Sequence, residues 1–106
     1  MQKVDLRRHQ RILLPPGHLM RVHSNGADGR FEGLVTVIGL GGMFIRTSKA
    51  RPAGRVLKLV LEDPAATFES ECTVRSVAEN GVGVEITAIT SENERRLRAL
   101  LLRLKA

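Results

Sequence analysis

A chain of 106 residues with 42% hydrophobic content is long enough to bury one modest core and too short for two domains. It has no apolar run of the roughly 18 residues that a bilayer crossing requires, and its start, MQKVDLRRHQ, lacks the apolar stretch of a signal peptide, so a cytoplasmic domain without membrane insertion is expected. The formal charge of +6 is uneven: residues 1 to 30 hold six Lys or Arg against two acids, the remainder eleven against nine, which points to an anionic partner near the N-terminus. The single cysteine, Cys72, excludes an internal disulfide and a cysteine-built zinc site.

Residues 1–17 read as a flexible basic leader closed by Pro15, Pro16 and Gly17, because paired prolines resist helix and remove backbone donors. The domain proper is expected over 18–106. A first strand is predicted for His18 to Ser24. Turn residues Asn25-Gly26 and Asp28-Gly29 then return the chain to a second strand over Arg30 to Ile38. A third, Met43 to Thr47, follows Gly39, Gly41 and Gly42; a fourth, Val56 to Glu62, points Leu57, Leu59 and Leu61 one way. The fifth, Phe68 to Val77, sets Phe68, Cys72 and Val74 against an outer face of Glu69, Glu71, Thr73 and Arg75. Asn80-Gly81 is the strongest hairpin signal and leads to a sixth strand, Val82 to Ile89. Ser91 with Glu94 forms a capping-box pattern, and Leu97, Leu100, Leu101 and Leu104 recur at i, i+3, i+4 and i+7, predicting an amphipathic helix over about 91–105. Its leucine stripe is expected to dock on the sheet, with a partner helix in an oligomer as the other possibility.

The chemistry lies in the arginines. Guanidinium is planar, permanently charged and able to bind phosphate bidentately while stacking on a ring, so Arg7, Arg8 and Arg11 could clamp a phosphorylated aromatic ligand. Gly39-Leu40-Gly41-Gly42 is not a dinucleotide loop, since the pattern needs glycine at the position of Phe44. His9, His18 and His23 have no ligand-spaced cysteine or carboxylate cluster and read as polar surface residues, and Phe31, Phe44 and Phe68 read as packing. No nucleophile elbow, metal-binding helix or phosphate loop appears, so neither an enzyme nor a metal or cofactor is predicted. A nucleic-acid barrel is disfavoured because three Phe, with no Trp or Tyr, poorly supply a base-stacking platform.

A basic leader with RxxxR at Arg7-Arg8-His9-Gln10-Arg11, six short strands and a closing helix resemble the PilZ domain, and the resemblance covers nearly the whole chain. It extends to GGMFIRT at Gly41 to Thr47, to PAGRVLKLVL at Pro52 to Leu61, and to GVGVEI before the helix. The resemblance implies a mainly β fold, a six-stranded antiparallel split β-barrel with a C-terminal helix. It also implies a bacterial signalling function: recognition of cyclic di-GMP by Arg7 and Arg11, helped by Arg8, and by a second motif, [D/N]xSxxG, aligned with Val37 to Gly42. Here the acidic or amide position is Val37 and the serine position is Gly39, while Gly41 and Gly42 remain to offer backbone contacts. Two side-chain hydrogen bonds of about 0.5 to 1.5 kcal/mol each are then missing, implying affinity weakened by roughly ten- to a hundred-fold. The alternative is a degenerate PilZ module that does not bind the nucleotide and contacts a protein effector instead.

Overall fold

The computed structural model describes residues 11–24 and 30–105. Seven strands precede one helix: β1 (Arg11–Leu13), β2 (Arg21–Ser24), β3 (Glu32–Gly39), β4 (Gly42–Arg46), β5 (Val56–Asp63), β6 (Ala66–Ala78), β7 (Gly81–Ala88) and α1 (Ser91–Lys105). The sheet runs β3-β2-β5-β6-β7-β4, and pairing of β4 back onto β3 closes it into a six-stranded antiparallel barrel. Closure leaves no long free edge on this ring.

Alternation fills the interior. Leu57, Leu59 and Leu61 from β5, Phe68, Cys72 and Val74 from β6, and Val82 and Val84 from β7 are all buried in one cluster with Val35, Ile38, Met43 and Ile45. The Cys72 thiol sits among these apolar neighbours, and burial pushes its pKa up to about 11, against a smaller opposing effect of the Ser70 hydroxyl. Leu97 and Leu100 of α1 join the same cluster, and α1 packs against β6 and β1, so the leucine stripe docks within the chain. No helix among the described residues is long and apolar enough to cross a membrane.

Several details differ from the sequence reading. A short strand, β1, lies inside the segment read as a leader, and the following strand starts at Arg21 rather than His18. The connection between them is pinned by His18, whose Nε2 lies 2.5 Å from Oδ1 of Asp63, a carboxylate only 2% exposed. His18 is therefore not a free surface histidine. The predicted turn at 25–29 lies outside the described residues.

At the β6–β7 hairpin, Ala78 faces Gly81, so Glu79 and Asn80 form the loop and Gly81 belongs to the strand. Gly81 has no positive φ; a Cβ there would run into the Ile45 carbonyl oxygen, so its role is close approach to β4. At the helix start the cap is Thr90, one residue earlier than the capping-box pattern suggests: its hydroxyl accepts the Asn93 N–H at 3.2 Å. Thr73, on the outer face of β6, is nonetheless buried, bonded at 3.0 Å to the Thr87 hydroxyl on β7.

Candidate functional site

β1 and β2 take the same edge of β3 at opposite ends. β2 pairs with Glu32 to Leu34, whereas β1 pairs with the far end in the register Leu13↔Val37, Ile12↔Ile38 and Arg11↔Gly39. Two backbone bonds flank the join: Leu14 N–H to Thr36 O and Val35 N–H to Met20 O, each 2.9 Å. Arg11–Leu13 is thus held as a strand against the residues that precede the glycine turn. Arg11 and Gly39, 28 positions apart in sequence, are direct neighbours.

A bulge between Val35 and Val37 decides what faces outward here. Val35 and Ile38 both point into the core, which turns Val37, partly buried, and Gly39, itself buried, to the outer side of the wall. The register then builds three outer rows. The first runs Arg11, Gly39, Gly42, Glu85, Thr73; the second Leu13, Val37, Phe44, Gly83, Ser76; the third Arg21, Leu34, Arg46, Gly81, Ala78. Arginines therefore bracket an apolar middle row. Leu13 is 74% exposed, and Phe44, read from sequence as packing, is only partly buried on this face.

Of the residues singled out in the sequence, Arg11, Val37, Gly39, Gly41 and Gly42 come together at this end of the β3–β4 hairpin, and Arg7 and Arg8 lie outside the described residues. None of the three glycines has a positive φ. Gly42 is required by packing: a Cβ there would collide with the Val84 carbonyl oxygen on β7. The alternation rule could not expose Phe44, because Met43, Phe44 and Ile45 are all apolar and only the tertiary register shows which one turns out.

The electrostatics of the face are set by Arg11, Arg21 and Arg46 on its two outer rows. Glu62 stands opposite Arg21 on β5, and Glu85, the acid within the three rows, accepts a hydrogen bond from Nε of Arg75 at 2.7 Å, so that carboxylate is partly neutralised. Such a surface can attract an anion and lay an aromatic ring along Val37 and Phe44. Clefts of about 380 Å³, between β5, β6 and the start of α1, and about 430 Å³, over β2, β3 and β5, carry mixed charges and no convergent set of cations. Among the described residues there is no group of three or more His, Cys, Asp or Glu placed to hold a metal.

The family model for the PilZ domain matches residues 5–103. The chain belongs to the PilZ domain family. Its fold is shared with solved PilZ structures. These include the PilZ domain of YcgR from Escherichia coli with c-di-GMP (TM-score 0.79, 17% identity, covering 95% of this chain and 92% of that one). The K. pneumonia MrkH–c-di-GMP complex superposes with a TM-score of 0.81 at 19% identity, over 96% of this chain and 52% of MrkH. The Bacillus subtilis inhibitor of motility MotI gives a TM-score of 0.71 at 17% identity, over 97% of this chain and 53% of MotI. This PilZ chain thus spans about half the length of MrkH and of MotI. No curated protein matches it by sequence.

Proposed function

We propose that this PilZ domain is a bacterial signalling receptor for c-di-GMP, a binding domain rather than an enzyme, working in the cytoplasm with reduced affinity. The observation that carries the reading is the Arg11↔Gly39 pairing, which sets the second arginine of RxxxR beside the glycine turn on one outer face. Two similar structures, those of YcgR and MrkH, contain c-di-GMP, which supports the choice of ligand. In this reading Arg11, with Arg7 and Arg8 from the preceding residues, grips the phosphates, and Val37, Gly39, Gly41 and Gly42 form the floor. Capture of the ligand by these arginines converts concentration into shape for a downstream partner. Val37 and Gly39 contribute no polar side-chain contact, which lowers affinity without removing the phosphate clamp.

Calorimetry tests this directly. The native chain should release heat with c-di-GMP, the variant Arg7→Ala with Arg11→Ala should lose it, and Val37→Asp with Gly39→Ser should bind about ten- to a hundred-fold more tightly. Absence of binding by both the native chain and the restored variant overturns the receptor reading. Binding only after restoration favours the second reading, a degenerate module that docks a protein effector, for which exposed Leu13 with partly buried Val37 and Phe44 supplies the apolar contact surface.

A further inference from the structure

The row that begins at Arg11 contains a residue that neither motif includes. Beyond Gly39 and Gly42, which carry no side chains, the next residue across the sheet is Glu85 of β7, directly opposite Gly42. Glu85 projects outward, since its neighbours Val84 and Met43 are buried. Among the fifteen positions of the three outer rows it is the only acid. The result is a slot free of side chains and one residue wide, over two glycines that are themselves buried, with a guanidinium at one end and a carboxylate at the other. Three inter-strand steps of about 4.8 Å separate the two Cα atoms by roughly 14 Å. With both side chains projecting away from the sheet rather than toward each other, that span is wide enough for a nucleotide base.

Resting on the c-di-GMP reading, we propose that Glu85 reads one guanine of the ligand in place of the polar side chains missing at 37 and 39. Guanine presents two adjacent donors, N1–H and N2–H, along one edge. A carboxylate accepts two parallel N–H bonds in the same way that it accepts an arginine fork. Adenine presents a ring acceptor at the equivalent position, and facing a carboxylate it would place lone pairs against lone pairs. Glu85 therefore selects guanine as well as binding it. Arg75 has two parts in this arrangement. Its Nε bond to Oε1 at 2.7 Å fixes the carboxylate's orientation, and its charge offsets the repulsion that a lone acid would exert on the nearby phosphates. Val37 and Phe44, in the adjacent row, flank the slot with apolar surface against which the base can rest.

Titrating the native chain and Glu85→Gln with c-di-GMP and with its adenine counterpart, c-di-AMP, tests the assignment. The native chain should prefer c-di-GMP by about tenfold or more; Glu85→Gln should weaken c-di-GMP by about tenfold and leave c-di-AMP within about threefold, so that the preference collapses. Circular dichroism of the variant shows that the barrel is intact. If Glu85→Gln weakens both nucleotides equally, Glu85 acts only through its bond to Arg75 and the proposal fails. If the native chain binds both nucleotides alike, the receptor reading stands and the role of Glu85 falls. If it binds neither, the receptor reading itself falls and takes this one with it.

Discussion

The wall made by β3, β4 and β7 has two faces built from alternate residues of the same strands, and they obey different constraints. Inside, Val35, Ile38, Met43, Ile45, Val82 and Val84 are buried together, and any apolar residues of about the right volume would serve. Outside, Arg11, Val37, Phe44 and Glu85 are placed by the same register but are less buried than the inner residues. Their identities are free to follow a ligand. Stability should therefore track the inner face and binding the outer one, and adjacent substitutions can separate the two.

The largest separation lies between Ile45 and Phe44, neighbours in β4 that point to opposite sides. Ile45→Ala empties part of the core and should cost about 2 to 5 kcal/mol in urea denaturation. Phe44→Ala removes a partly buried ring and should cost less, about 1 to 2 kcal/mol, while weakening nucleotide binding. Equal losses of stability would mean that the outer row is part of the core and would break the distinction.

The two faces also explain which parts of the molecule were legible in advance. Leu57, Leu59 and Leu61 alternate with Lys58, Val60 and Glu62, and Leu97, Leu100 and Leu104 repeat at helical spacing, so the barrel strands and the helix follow from periodicity. β1 was not legible because three residues before a Pro-Pro pair are too few to show a period, and its partner, the end of β3, lies more than twenty residues away. The bond between His18 and Asp63 spans 45 positions and has no local signature. Gly42 and Gly81 invited a reading as turn residues, yet both are demanded by close contact with a neighbouring strand. On the outer face, the arginine and glycine positions could be taken from the family pattern, whereas Glu85 could not, because only the barrel's register brings β7 beside them.

Cys72 probes the inner face through pH. Its thiol titrates near 9.0 when unperturbed and at about 11 in the fold, so the unfolded chain loses its proton first as pH rises. The stability that depends on the neutral thiol is fully present below about pH 9 and should fall by about 2 to 3 kcal/mol between pH 9 and 11. Urea midpoints should show that decline in the native chain, with a shallower one in Cys72→Ala. Parallel slopes would indicate that water reaches the thiol and that the core is less dry than its packing implies.

Gly42 stands where the two faces meet, since it sits in the candidate slot but is required by the barrel. Gly42→Ala forces β4 away from the Val84 carbonyl and should destabilise by about 1 to 3 kcal/mol, lowering Tm by roughly 4 to 8 °C per kcal/mol in a domain of this size. Binding would fall with it. A variant that kept its Tm and lost only binding would assign Gly42 to the ligand alone.

Leu13 should give the smallest effect on stability and so the sharpest test. It is 74% exposed at the head of the apolar outer row, one strand away from Val37, and contributes little to the core. Leu13→Ser should therefore change unfolding free energy by no more than about 0.5 kcal/mol. If the outer row rests against a base or a partner, the same change should still weaken that contact severalfold in calorimetry, because exposed apolar area in the free domain is the area that association removes from water. A loss of stability with unchanged binding would reverse the assignment, making β1 a structural strap that secures the barrel edge and leaving Arg11 without an apolar neighbour in the site.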